Sequence, residues 1–127
     1  MAQGRGTTSS TVALGLVLIC LFVCQFEIIE SKEYIVGDAL GWTFGVANWP
    51  NGKNFQAGDV LVFRYDPQAH NVVAVDAAGY NSCKVGLNSK VYDSGNDRIS
   101  LQKGANYFFC SFANHCQMNL KIAVKAA

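Results

Sequence analysis

The sequence predicts an all-β domain, a β-sandwich or barrel, behind a cleavable signal peptide. Three observations carry this reading. Short β-branched runs recur between Gly, Pro and Asn punctuation. Within those runs apolar residues alternate with polar ones at the period of a strand. Helical signal is confined to about one turn, around residues 77–83.

The leader comes first in the chain. Arg5 and a Thr/Ser spacer precede an apolar run of 13 residues, 12–24. That length suits a signal-peptide core and falls short of the roughly 20 residues that span a bilayer. Cleavage after Ser31 is the best compromise in a region that lacks an A-x-A site. The expected division is therefore a signal peptide, 1–31, and one mature domain, 32–127.

The mature segment then reads as follows. Residues 33–36 form a first strand, and 37–53 read as loop, with Gly41, Gly45, Pro50 and the turn pair Asn51-Gly52. Residues 59–65 (DVLVFRY) and 71–76 (NVVAVD) are strands parted by Asp66-Pro67. Residues 97–102 place Ile99 and Leu101 on one face. Gly104 opens a strand running to Phe112, in which Tyr107 to Phe109 reads as core alternation. Residues 120–125 close the chain with Leu120, Ile122 and Val124 on one face. Trp42 and Trp49 read as core or loop packing.

Charge excludes some functions. The mature segment carries nine Lys and Arg against seven Asp and Glu, too small an excess to imply nucleic acid. No Asn-x-Ser/Thr acceptor occurs, and no second hydrophobic tail for a lipid anchor follows the last strand. A soluble extracellular domain without a membrane anchor is expected.

Cysteine arithmetic directs attention to the far end. Cys20 and Cys24 leave with the leader, so Cys83, Cys110 and Cys116 remain. An odd number in an oxidising compartment implies one disulfide and one thiol, or an intermolecular bridge. The mature segment's two histidines are His70, before NVVAVD, and His115, five residues after Cys110. One thiolate and two imidazoles from two chain segments offer a metal the donor set of a blue-copper site. Cys116, adjacent to His115, cannot easily reach the same metal from the same side, and pairing with Cys83 is its natural use.

The motifs YIVGDALGWTF (34–44), FQAGDVLVF (55–63), HNVV (70–73), SGNDRISL (94–101) and YFFCSFANHCQ (107–117) resemble the phytocyanins, in particular their plantacyanin, or basic blue, branch. The resemblance covers nearly all of 33–124. It implies a cupredoxin-like Greek-key barrel of two sheets, one type 1 copper ion and one disulfide. His70, Cys110 and His115 match the three strong ligands, and Cys83 and Cys116 match the bridge. Asn71 matches a residue that hydrogen-bonds near the cysteine sulfur. One position departs. The family's weak axial methionine stands five residues after the loop histidine, where this sequence has Leu120; Met118 lies two residues earlier and is the alternative axial donor.

The function expected is single-electron transfer by a secreted, monomeric copper protein of the plant extracellular space or cell wall. It would not be an enzyme, and its redox partner would be a small molecule or another protein. The alternatives are a zinc-binding or metal-free cell-wall recognition module, and a cysteine hydrolase built on Cys110 and His70. Zinc usually takes a fourth strong ligand, which neither Leu120 nor Met118 offers. A hydrolase needs a base on the thiol and a cleft beside it.

Overall fold

The alternation in DVLVFRY and its counterparts resolves into two sheets packed face to face. The structure, a computed structural model, describes residues 30–127; the signal-peptide core at 12–24 lies outside the described residues. Residues Ser31–Ala127 form one compact unit. The strands are β1 (Glu33–Ile35), β2 (Val60–Arg64), β3 (Val72–Val75), β4 (Lys90–Tyr92), β5 (Asn96–Ser100), β6 (Gly104–Phe109) and β7 (Lys121–Ala126), with one short helix, α1 (Ala77–Ser82).

One sheet has the order β1-β2-β5 and the other β4-β3-β6-β7. β1 runs parallel to β2, with Glu33 opposite Val60, and β2 runs antiparallel to β5. All pairs in the second sheet are antiparallel, and Phe109 lies opposite Lys121. Leu61 and Phe63 of the first sheet share a core with Val72, Phe108, Ile122 and Val124 of the second, all nearly inaccessible. The rings of Phe63 and Phe108 meet across the layers at 5.2 Å. Burying side chains of this size, at roughly 1.5–3 kcal/mol each, is the main force closing the sandwich.

The two buried carboxylates of this core are matched. Asp59, 2% exposed, accepts hydrogen bonds from the backbone N–H groups of Lys32 and Gln56. Asp97 shares the inward face of Ile99 and Leu101, and its carboxylate accepts from the Tyr65 hydroxyl and from Ser94 Oγ. Burial first, then the bond to Asp97, raises the Tyr65 phenol above its ordinary range.

Several expectations change in detail. The stretch 37–53 contains two 3-10 turns, Asp38–Leu40 and Val46–Asn48, each entered from a glycine with positive φ. β4 was not anticipated. It has three residues and exposes Val91, so alternation could not reveal it. The helical turn is present as α1, capped where the Asp76 carboxylate accepts from the Gly79 N–H at 2.8 Å. β6 ends at Phe109 rather than Phe112, because beyond it the chain turns away into a loop. Its aromatic run is not simple alternation either. Phe108 faces the sandwich core, while Phe109 is buried on the opposite face with Val73 and Cys116, packed by Val75 and Cys83.

Trp42 is a core residue, as expected, 1% exposed and packed on Phe63 at 5.0 Å. Trp49 is half-buried against Phe55, and Lys53 Nζ lies 4.9 Å from its ring centroid.

Candidate metal centre

His70 precedes β3 at the end of a tight connection whose turn is closed by the Asp66 carbonyl. That oxygen accepts from the backbone N–H groups of both Ala69 and His70. The next residue is held from two sides. Asn71 O accepts from the Trp42 indole N–H at 2.8 Å. The Asn71 side chain donates to Ser111 Oγ and accepts from the Ser111 N–H, both at 2.8 Å. Asn71 thus ties the His70 segment to the residue after Cys110, where the family resemblance implies a partner near the sulfur. Ser111 is a participant that no sequence pattern singles out.

Cys110 follows β6 and stays on the inward side of Phe108. Its amide donates to Leu120 O at 3.0 Å, so the loop 111–119 begins and ends at one rung. Inside the loop, the His115 N–H donates to Phe112 O, and the Leu120 N–H returns to His115 O, each at 3.0 Å. Asn114 and Asn119 adopt positive φ, of 64° and 66°, a conformation that asparagine tolerates better than most residues. These bonds reverse the chain within five residues, so that His115 points back toward Cys110.

The three predicted donors come together. His70 Nδ1 and His115 Nδ1 are 3.2 Å apart; Cys110 Sγ lies 3.4 Å from the His115 nitrogen and 4.0 Å from the His70 nitrogen. A triangle with these sides has a point about 2.1 Å from every corner, within the roughly 2.0–2.3 Å span of first-row metal bonds to imidazole and thiolate. The donors therefore fit a metal ion as they stand. Cys110 is fully buried, His70 is 8% exposed and His115 is half-exposed. Burial, and secondarily the neighbouring His115, hold the His70 imidazole below its ordinary pKa, which favours the neutral, ligating form.

Phe44 completes the surroundings. Its ring stands nearly perpendicular to both imidazoles, 5.4 Å from His70 and 4.8 Å from His115, and the imidazole centroids are 5.1 Å apart. No pattern in the sequence signals this, since Phe44 stands alone in a loop between Thr43 and Gly45.

The two axial candidates differ sharply. Leu120 is inaccessible and belongs to the same core cluster as Cys110, whereas Met118 is 56% exposed. Cys83 and Cys116 form a disulfide, which leaves Cys110 as the free cysteine among the described residues. Cys83 caps α1 with a positive φ of 55°, so the bridge fastens the helix end to the residue after His115.

Two imidazoles and one thiolate around a common point are the strong donors of a blue-copper electron-transfer site. Comparison with known proteins agrees. Residues 42–120 match the plastocyanin-like domain family. The chain is 56% identical to chemocyanin from Lilium longiflorum over 127 residues, with all of both chains covered. The solved structure of cucumber basic protein, a blue copper protein, superposes with a TM-score of 0.74 at 50% identity, covering 76% of this chain and 100% of that one. Spinach plantacyanin superposes with a TM-score of 0.65 at 52% identity, covering 68% and 94%.

Proposed function

The chain belongs to the plastocyanin-like family, among its phytocyanins, and on that premise we propose how it carries single electrons: through one type 1 copper ion held by His70, Cys110 and His115. The observation that carries this reading is the convergence of one dry thiol and two imidazole nitrogens on a common point. The ion, when bound, supplies a one-electron couple between Cu(II) and Cu(I).

The residues of the chain do the rest. Cys110 provides the thiolate, and its complete burial keeps water from the sulfur. The paired bonds between Asn71 and Ser111 hold the two ligand segments together, and the Cys83–Cys116 bridge fixes the backbone beside His115. Such fixed donors suit electron transfer, because neither oxidation state can rearrange them freely. Leu120, buried in the cluster that contains Cys110, would offer a bound ion no further donor, and Met118 stays outside at the surface. His115, half-exposed, is where an electron enters or leaves.

The protein is a carrier and not an enzyme. With Cys110 inaccessible, no substrate carbon can approach its sulfur as a hydrolase would require. Its redox partner is a small molecule or another protein meeting the His115 side, and the carrier works as a monomer without nucleic acid.

The mature protein, 32–127, is secreted to the apoplast or cell wall. The leader pattern and a disulfide favour this. Among the described residues, no helix is long and apolar enough to cross a membrane.

Loading the secreted protein with Cu(II) tests the central claim. An intense blue thiolate-to-copper absorption is expected, with the matching EPR signal. Correctly folded protein that takes up copper without that band would overturn it.

A further inference from the structure

Phe44 belongs to neither core cluster, although Trp42 and Val46 on either side of it are buried. Its ring is 43% exposed, and its aromatic neighbours are His70 and His115. A phenylalanine that sets its ring against two metal-ligand imidazoles and belongs to neither core cluster serves something besides core packing.

Its position is firmly held. Two residues earlier, the Trp42 N–H donates to Arg64 O at 2.9 Å, and the Trp42 indole N–H donates to Asn71 O beside His70. Gly41 permits the first of these, because a Cβ there would lie 2.6 Å from the Arg64 carbonyl oxygen. The loop is thus pinned to the end of β2 and to the His70 segment. Phe44 projects from a fixed base.

We propose that Phe44 is a positioning residue for electron transfer: it shields both histidine ligands from water and thereby favours the reduced site. This rests on the copper reading above. The oxidised site carries one more positive charge than the reduced site, and water stabilises that charge better than an apolar ring does. Excluding water on the imidazole side therefore shifts the couple toward Cu(I). The same packing restricts rotation of the two rings, since each of the three rings touches the other two.

The secreted protein is compared with Phe44→Ala and Phe44→Leu by voltammetry and by EPR in H2O and D2O. Phe44→Ala should shift the couple about tenfold toward Cu(II), a potential lower by about 60 mV for one electron, and should show new deuterium coupling at the copper. Phe44→Leu, which retains an apolar cover, should recover most of the potential. In metal-free protein, NMR should show the ring-current shifts of the His70 and His115 imidazole protons lost in both variants. An alanine variant with unchanged potential and no new deuterium coupling would overturn the proposal, as would a leucine variant that falls as far as alanine. Wild-type protein that is not blue refutes the copper reading instead, and the ring-current shifts still report whether Phe44 orders the two imidazoles.

Discussion

The Cys110 amide donates to the Leu120 carbonyl at 3.0 Å, and both side chains are completely buried in one cluster. The residue that would supply the thiolate and the buried candidate for the axial place are therefore fixed to each other by backbone. Met118, 56% exposed, would have to be drawn inward against the bonds from its N–H to Asn114 O and His115 O before its sulfur could serve.

A leucine donates nothing to the metal, whereas a weak sulfur donor favours Cu(II). Leu120→Met should lower the reduction potential, by roughly 60 mV for a tenfold shift in the one-electron couple. Met118→Ala should change potential and spectrum little. Voltammetry of both variants decides between them, and a strong response to Met118→Ala would reassign the axial ligand.

Removing a strong donor should abolish the colour and spare the fold. His115→Ala loses the strong blue band, and Cys110→Ser loses it more completely, because the charge-transfer donor itself is gone. Visible absorption read alongside far-UV circular dichroism checks both; a variant that stays blue contradicts the ligand set.

The bridge makes a separate, thermodynamic prediction. Cys83 and Cys116 are 33 residues apart, so by loop entropy their disulfide stabilises the fold by roughly 3–4 kcal/mol. Denaturation of a Cys83→Ala/Cys116→Ala variant measures this loss. Non-reducing peptide mapping should return the Cys83–Cys116 pair, and Cys110 should alkylate once copper is removed and the chain unfolded.

Tyr65 offers a test remote from the metal. Its hydroxyl donates to the buried Asp97 carboxylate, which keeps only Ser94 as a side-chain partner when that hydroxyl is removed. Tyr65→Phe should cost about 1–3 kcal/mol in urea unfolding. The blue spectrum of the folded variant should be unchanged.

The sequence was most legible where one side chain reports its own environment. Leu120, Ile122 and Val124 announced their face by alternation, and each is nearly inaccessible. Cys110 and His115 lie on one loop, so their spacing alone implied a chain reversal. The unread features depend on two segments meeting. Nothing near Phe44 reveals a histidine 26 residues later in the chain. Ser111 is unremarkable until Asn71 is placed opposite it. Phe109, read as part of one core alternation, is buried on the opposite face, where the bridge cysteines cover it. Periodicity describes a strand's own two faces, and it is silent about what other parts of the chain lay over them.

The neighbouring positions of His115 and Cys116 also constrain the order in which the molecule can mature. Before the disulfide exists, the segment 32–127 presents three thiols, and one of them directly follows a metal-binding imidazole. Copper arriving at that stage would meet three competing soft donors. Once Cys83 and Cys116 have joined, a single thiol remains, buried beside both histidine nitrogens. Oxidation before metallation leaves one thiol for a metal to meet; the reverse order leaves three.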